Sequence, residues 1–135
     1  MAQIDPQETL VFLAVSPVEE DHVSLHGIFK RSPWTLLRAA TCAEAVDCLN
    51  SNSVAVVLCE RELPDGDWRD LLDEAHLHRR QSLLVVISDH ANEILWAEVL
   101  NVGGFDVIPK PFHPAEVLRI LSLAMRHWKA GSGTP

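Results

Sequence analysis

Three runs that are apolar at every position constrain the fold of this chain more than any other feature. They are LVFLAV at residues 10–15, VAVVLC at 54–59 and LLVVI at 83–87. A strand with one face in water alternates apolar and polar residues, whereas parallel strands covered by helices on both faces are apolar throughout. Two more mixed runs, WTLLR at 34–38 and FDVI at 105–108, have the composition of edge strands. The sequence therefore predicts a five-stranded sheet that is buried on both faces.

Helical segments are predicted between and after these strands. They cover residues 17–30, 42–50, 68–78, 91–102 and 114–129. Capping residues mark two of the helix starts, Thr41 with Glu44 three residues later and Asp67. The first helix is predicted to start after Ser16, with Pro17 at a position in the first turn that tolerates proline. Strands and helices that alternate in this way predict an α/β fold of (βα)5 type, with a doubly wound parallel sheet and right-handed crossovers.

Composition limits the classes of protein to which the chain can belong. Its 135 residues fit one domain, which we expect to cover residues 1–130 and to be followed by a short flexible tail at 131–135. A net charge of −8 argues against nucleic acid as a direct partner. No apolar stretch approaches the ~20 residues of a membrane span, and the start MAQIDPQETL does not resemble a secretory signal. The three cysteines show no CxxC spacing, so we expect a cytoplasmic protein with reduced thiols and no membrane association.

Candidate functional residues stand where the predicted strands end, because open parallel sheets bind ligands beyond the carboxyl ends of their strands. Glu60 ends the third strand and is followed by the turn ELPDGDW at residues 62–68. Ser88 follows the fourth strand, and the fifth strand lies in the run GGFDVIPKPF at residues 103–112, which contains Lys110.

These motifs and their spacing resemble the receiver domain of two-component response regulators, over roughly residues 9–128. The resemblance implies a flavodoxin-like sheet of strand order 2-1-3-4-5 and a signalling module that is not an enzyme. In that family an aspartate ending the third strand accepts a phosphoryl group. A Ser or Thr after the fourth strand and a lysine after the fifth contact that group. Here Ser88 and Lys110 match, and Glu60 occupies the acceptor position.

Other parts of the family site do not match. Ala14 and Val15 stand where the resemblance expects the acidic pair that helps to bind Mg²⁺, and Val107 stands where it expects a switch aromatic. Mg²⁺ needs several oxygen ligands, and without the metal nothing neutralises a phosphoryl group that approaches a carboxylate. Glutamate also carries one methylene more than aspartate, in a type of site that tolerates errors of only ~0.5 Å. We therefore expect no metal site, with Mg²⁺ binding lost or very weak, and a chain that is not phosphorylated in the usual way.

The function that follows is that of an atypical pseudo-receiver, which acts as a protein–protein interaction module in signalling. Glu60 then either imitates an occupied acceptor with Lys110 as its partner, or is simply a polar residue at a strand end. The alternative is an active, Mg²⁺-dependent receiver that uses Glu60 or a nearby loop aspartate, Asp65 or Asp67. A flavin carrier is disfavoured because the loop at residues 16–20 is acidic and contains no glycine.

Two predictions concern acidic and basic side chains near the start of the first helix. A shift of register could make the acids at residues 19–21 the missing pair, but it would place Pro17 inside a central strand. We therefore expect these acids on the exposed first turn of the helix.

His22 and His26 are four residues apart, as in some zinc sites, but no third ligand cluster is evident. A solvated helix face is the expected environment of both histidines.

The fourth predicted helix is more apolar than a solvent-facing helix needs to be, since it contains Leu95, Trp96 and Val99. Receivers often use the face of the fourth helix, fifth strand and fifth helix for partners. We therefore expect this face to bind a signalling protein or a second copy of the chain, unless these side chains complete the core.

Overall fold

The structure, a computed structural model, describes residues 10–77 and 81–132. Its elements in chain order are β1 Val11–Val15, α1 Glu19–Phe29, β2 Thr35–Ala39, α2 Cys42–Ser51, β3 Val54–Glu60, β4 Glu62–Leu63, β5 Gly66–Asp67, α3 Trp68–Leu77, β6 Leu83–Ser88, α4 Glu93–Asn101, β7 Asp106–Pro109 and α5 Pro114–Ser132. Five strands form a parallel sheet of order β2-β1-β3-β6-β7, and β4 pairs with β5 in a small separate hairpin. When only the strands of the main sheet are counted, this order is 2-1-3-4-5, so the predicted fold is confirmed.

Each face of the sheet is covered by its own hydrophobic cluster. Side chains of α1 and α5 pack on one face, against alternate strand residues such as Phe12 and Leu58. Side chains of α2, α3 and α4 pack on the other face, against the intervening residues such as Leu13 and Val57. Because successive strand residues point to opposite faces, the fully apolar runs supply both clusters at once. This explains why the central strands contain no polar residue before their ends.

The start of α1 differs from the prediction. The helix begins at Glu19, two residues later than predicted, and Val18 occupies the N-cap without a side-chain hydrogen bond. Ser16 accepts a hydrogen bond from the backbone N–H of Val18 at 3.0 Å, in the turn between β1 and α1. The predicted cap of α2 is confirmed, because Thr41 accepts a hydrogen bond from the backbone N–H of Glu44 at 3.1 Å.

Glycines end α4 in a way that aliphatic residues could not. Gly103 has a φ of +105°, which side-chain-bearing residues rarely adopt. A Cβ on Gly104 would lie 2.4 Å from Val99 Cγ1, so the chain can turn toward β7 only with glycine at this position. The tight turn sets the start of β7 and, beyond it, the position of Lys110.

The C-terminal helix is longer than the sequence predicted. It ends at Ser132, so the first two residues assigned to a flexible tail belong to α5, and residues 133–135 lie outside the described residues. In the described ranges, no helix combines the length and the apolar character that crossing a membrane requires.

Candidate functional site

A partly buried ammonium group meets two carboxylates at the carboxyl end of the sheet. Lys110 Nζ lies 2.5 Å from Glu60 Oε2, and 2.9 and 3.1 Å from the two carboxylate oxygens of Asp21. The side chains of Lys110 and Glu60 are each 14% exposed, and that of Asp21 is 6% exposed. The pairing of Glu60 with Lys110 that the sequence raised as a hypothesis is therefore present, and a second acid joins it.

Backbone pairing in the sheet brings Glu60 and Lys110 together. Glu60 is the last residue of β3, and β6 separates β3 from β7 in the sheet. The chain leaving β7 is held against the end of β6, because the backbone N–H of Lys110 donates a 2.9 Å hydrogen bond to the carbonyl oxygen of Ser88. The long lysine side chain can then reach across the end of β6 to the carboxylate of Glu60.

Asp21 is the functional residue that the sequence analysis missed. Its carboxylate accepts a 2.6 Å hydrogen bond from the Ser16 hydroxyl in addition to its contacts with Lys110. The expectation that the acids of the first turn face solvent holds for Glu19 and Glu20, which are exposed, and is wrong for Asp21. Pro17 lies outside β1, as argued from the sequence. The carboxylate enters the site from the helix rather than from a shifted strand.

Helical spacing provides the signal that could have identified Asp21. Leu25 and Ile28, four and seven residues later, are buried on the same side of α1, so Asp21 continues their inward-facing stripe. His22 is also buried, and its Nε2 lies 2.8 Å from the carbonyl oxygen of Ser16. The prediction that His22 is solvated is therefore wrong. Its ring is buried, and its contact with the Ser16 carbonyl helps to hold the turn that positions Ser16.

Ala14 and Val15, assigned to the acidic-pair positions, lie away from this group of charges. Both are fully buried in β1, where Ala14 belongs to the cluster under α1 and α5 and Val15 to the cluster on the opposite face. The two residues that directly follow β1 are Ser16 and Pro17, and of these Ser16 contacts the site. No carboxylate comes from residues 14–17, so β1 and the two residues after it supply no acid to this end of the sheet, whichever two positions are compared.

Ser88 and Val107 frame the site without joining the ion pairs. The Ser88 hydroxyl is buried and accepts a 3.0 Å hydrogen bond from the backbone N–H of His90. Within the described part of the chain, it makes no hydrogen bond to Glu60 or Lys110. Val107 is fully buried in the cluster beneath α3 and α4. Its small aliphatic side chain fills the position where the resemblance expects an aromatic ring.

The electrostatics of the group follow from two acids that share one cation. Burial raises the pKa of Glu60, and the contact with Lys110 offsets this only in part. Burial alone would lower the pKa of Lys110, but hydrogen bonds to Glu60 and Asp21 outweigh it and raise that pKa. The ammonium is therefore held firmly in its charged form, and one carboxylate charge remains in excess at a poorly solvated position.

The residues of this site do not fit a Mg²⁺ ion. Both carboxylates converge on the ammonium of Lys110, which takes the position between them that a cation would need. Across residues 10–77 and 81–132, no three His, Cys, Asp or Glu side chains are grouped so that they could hold a metal ion. Mg²⁺ is usually held through one or two carboxylates and several waters, and here both carboxylates are already engaged by the ammonium of Lys110.

The two loop aspartates that could replace Glu60 as acceptor, Asp65 and Asp67, form hydrogen bonds to backbone N–H groups at the starts of helices. Asp65 accepts hydrogen bonds from the backbone N–H groups of Cys42 at 2.8 Å and Ala43 at 3.0 Å, which cap α2. These bonds lower the pKa of Asp65. Asp67 accepts a 2.9 Å hydrogen bond from the backbone N–H of Arg69, so it caps α3 as the sequence predicted. Neither aspartate contacts Lys110 in the described structure.

The apolar residues of α4 divide between core and surface. Leu95 and Val99 are buried against the sheet, so their assignment to an interface is wrong, and only Trp96 of the three predicted residues is accessible. Trp96 is 41% exposed and its indole N–H donates a 2.8 Å hydrogen bond to Asp106 in β7. Leu100, one turn later, is also exposed. Helical geometry explains this division, because residues four positions apart share one face of a helix. Leu95 and Val99 therefore face the sheet together, and Trp96 and Leu100 lie together on the exposed face.

Comparisons with known proteins identify the class to which this fold and site belong. The response regulator receiver domain family matches residues 19–122, which is more than half of the chain. The chain therefore belongs to the response regulator receiver domain family. Receiver domains are signalling modules rather than classical enzymes, and they work with partner proteins or effector domains.

Individual relatives agree with this assignment. Over 116 residues the chain is 26% identical to the DNA-binding transcriptional regulator NtrC of Proteus hauseri, which covers 83% of this chain and 24% of that protein. Over 104 residues it is 21% identical to the regulatory protein VanR of Enterococcus faecium, covering 77% of this chain and 45% of that protein. The chain thus spans between about a quarter and just under half of the length of these relatives.

Solved structures show the same fold. The signal receiver domain of an HD domain-containing protein from Pseudomonas fluorescens Pf-5 superimposes with a TM-score of 0.88 at 23% identity, covering 100% of this chain and 98% of that one. A CheY-like response regulator receiver domain protein from Methanospirillum hungatei JF-1 has a TM-score of 0.81 at 21% identity, with 92% and 99% covered.

Proposed function

We propose that this receiver domain is a pseudo-receiver, which has lost phosphoacceptor function and acts in signalling as a protein–protein interaction module. The observation that carries the proposal is the position of the Lys110 ammonium, which contacts the carboxylates of both Glu60 and Asp21. A cation that belongs to the chain itself thus takes the place of an exchangeable metal ion.

The missing metal site is the first reason to expect no phosphoryl transfer. As a phosphoryl group approaches a carboxylate, the accumulating negative charge has to be neutralised by cations or preorganised donors. Lys110 is already shared between two acids, and Ser16 and Pro17, which directly follow β1, add no carboxylate that could recruit a metal. Phosphorylation would add charge to a position where burial already raises the pKa of Glu60.

The second reason concerns conformational change. The Glu60–Lys110–Asp21 contacts join the ends of β3 and β7 to the first turn of α1, and the Ser16 hydroxyl adds the end of β1. Val107, where an aromatic ring is expected, is packed entirely inside the core. A site whose charged side chains are all paired with one another in this way favours one fixed conformation over a switch.

The partner of such a fixed module would be recognised through the surface formed by α4, β7 and α5. Trp96 and Leu100 are exposed side by side on α4, and a large apolar side chain at a surface is a common centre of protein interfaces. We propose a signalling protein or a second copy of the chain as the occupant of this face.

A titration with Mg²⁺, followed by Mg²⁺ with beryllofluoride, tests the proposal by amide NMR. The expected result is no saturable shift at Glu60, Ser88 or Lys110 at millimolar Mg²⁺, while the indole N–H of Trp68, which directly follows the acceptor loop, also stays unchanged. Saturable shifts at these residues would refute the pseudo-receiver assignment in favour of an active receiver. The variant Lys110→Ala is the matched control, because removal of the ammonium frees two carboxylates and should allow weak Mg²⁺ shifts to appear.

A further inference from the structure

The groove between α2 and α3 carries a concentration of negative charge that the proposed signalling site does not use. It has a volume of about 610 Å³, and five of the residues that line it are acidic: Asp47, Asp65, Asp70, Asp73 and Glu74. Asp65 and Asp70 accept hydrogen bonds from backbone N–H groups. Asp47, Asp73 and Glu74 form no ion pair with any residue in the described ranges. Like charges that face one another without a counter-charge oppose folding, so a cationic occupant would relieve the repulsion.

The floor of the groove is apolar. Val46 of α2 and Leu71 of α3 line it together with the half-buried thiol of Cys42. Burial, with the nearby charges of Asp65 and Asp70, raises the pKa of Cys42 to about 11, as expected in a strongly negative environment. An apolar floor with an acidic rim fits a basic, partly apolar protein surface. It does not fit a metal ion, because no metal-binding group of three side chains occurs among the described residues.

A surface with the complementary properties lies on α5 of the same chain. Arg119, Leu123 and Arg126 follow one another at intervals of four and three residues, so they share one face of the helix, and Lys129 lies at its edge. All four are exposed, and Leu123 is 41% exposed. In the part of the chain that the structure describes, the three cationic side chains form no ion pair.

We propose that the face of α5 formed by Arg119, Leu123, Arg126 and Lys129 docks into the α2–α3 groove of a second copy of this chain. Each surface supplies what the other lacks: unpaired cations meet unpaired carboxylates, and an exposed leucine meets an apolar floor. The contact does not depend on whether Glu60 can be phosphorylated, so it stands apart from the proposed function.

The fold gives this contact a particular symmetry. The groove lies on the side of the sheet covered by α2, α3 and α4, whereas α5 lies on the opposite side. Two different surfaces on opposite sides of one molecule form a heterologous, head-to-tail contact. An assembly of any length has a free groove at one end and a free α5 face at the other. Association therefore continues into short chains instead of stopping at a dimer. The net charge of −8 repels copies over long distances, but salt at physiological strength screens this repulsion beyond ~8 Å.

Sedimentation velocity under reducing conditions, over micromolar to millimolar protein, tests the proposal with two variants. The groove variant is Asp47→Asn with Asp73→Asn, and the α5 variant is Arg119→Gln with Arg126→Gln. Each should weaken self-association at least ~10-fold, which corresponds to about 1.4 kcal/mol. A control with the same change of charge as the groove variant but elsewhere on the surface, Glu20→Gln with Glu93→Gln, should associate like the wild type.

Mixing the two variants gives the sharpest outcome. The groove variant retains a working α5 face and the α5 variant retains a working groove, so the mixture should form complexes of two molecules and nothing larger. Amide NMR with one variant labelled should show shifts in α2 and α3 of the α5 variant, or in α5 of the groove variant. A monomeric wild type at all concentrations, variants that associate like the wild type, or a mixture that stays monomeric would each overturn the proposal. Symmetric pairing through α4 would show itself as association that neither variant weakens.

Discussion

Asp21 Oδ2 lies 2.9 Å from Lys110 Nζ, although the two residues are 89 positions apart in the sequence. The contact joins the first turn of α1 to the segment that follows β7. Together with the 2.5 Å contact between Lys110 and Glu60, it surrounds one ammonium with two carboxylates. A site of this kind is held together by its own charges, and the consequences of removing each charge differ.

Removal of the ammonium should cost the most. Lys110→Met leaves Asp21 and Glu60 facing each other without a counter-charge, and we expect the free energy of unfolding at pH 7 to fall by about 3 kcal/mol. Urea denaturation measures this difference. Because the pKa of Lys110 is raised in the folded state, the stabilisation is fully present below its ordinary value of 10.5 and is lost as pH rises through the folded-state pKa.

Lys30→Met is the matched control for that experiment, since Lys30 is exposed at the end of α1. We expect its free energy of unfolding to stay within about 0.5 kcal/mol of the wild type. Equal effects of the two substitutions would contradict a special role of Lys110 in the charge network.

The two carboxylates should not be equivalent. Asp21→Asn weakens hydrogen bonds to both Lys110 and the Ser16 hydroxyl, so we expect a loss of about 2 kcal/mol. Glu60→Gln removes a carboxylate whose pKa is raised by burial, and Asp21 still pairs with the ammonium. The loss of unfolding free energy should therefore be below about 1 kcal/mol. Urea denaturation of the two variants at pH 7 gives the comparison, and a greater loss for Glu60→Gln would contradict this ranking.

The pH dependence gives a second test of Glu60. A carboxyl whose pKa is raised by folding binds its proton more tightly in the folded state. Its stabilising contribution is therefore complete below its ordinary pKa of 4.5 and is lost as pH rises through the folded-state value. The variant Glu60→Gln should thus gain stability relative to the wild type between pH 4 and pH 7. Parallel pH profiles of the two proteins would show that Glu60 does not titrate abnormally.

The sequence predicted the fold well because its signals are strong and local. Runs such as VAVVLC leave few alternatives to a buried parallel strand, and the capping box of Thr41 and Glu44 predicted where α2 begins. The starts of helices without such caps were less certain. The chain makes a turn after Ser16 before α1 begins at Glu19. Because proline is tolerated in the first turn of a helix, the sequence predicted that the helix starts at Pro17 and did not reveal this turn.

The site was predicted in part, and its missing member shows why. Glu60 ends β3 and Lys110 follows β7, and the carboxyl ends of these two strands lie at the same edge of the sheet with only β6 between them, so their contact could be inferred from topology. Asp21 was assigned to solvent because acids are common in the exposed first turn of a helix. Only its helical phase relative to Leu25 places it inward, and the sequence alone does not say that a lysine 89 residues later compensates its charge. Long-range pairing of this kind depends on the assembled fold.

The capping box of α2 offers a test of local structure that is independent of the site. Thr41→Ala removes the hydroxyl that accepts the backbone N–H of Glu44, and we expect a loss of about 1 kcal/mol of unfolding free energy. Thermal unfolding followed by circular dichroism measures it. Ser24→Ala, which removes an exposed hydroxyl from the body of α1, should leave the midpoint unchanged or slightly higher. A similar loss in both variants would argue against a capping role of Thr41.

Truncation of neighbouring residues of α4 should lower the free energy of unfolding by different amounts. Leu95 is buried against the sheet, so Leu95→Ala should lower the free energy of unfolding by about 3 kcal/mol through the cavity it leaves. Trp96 is partly exposed and donates one hydrogen bond to Asp106, so Trp96→Ala should cost about 1 kcal/mol. The same Trp96→Ala variant should weaken binding of any partner that uses the face of α4, β7 and α5. Urea denaturation separates the two residues, and a loss at Trp96 as large as that at Leu95 would mean that the tryptophan completes the core after all.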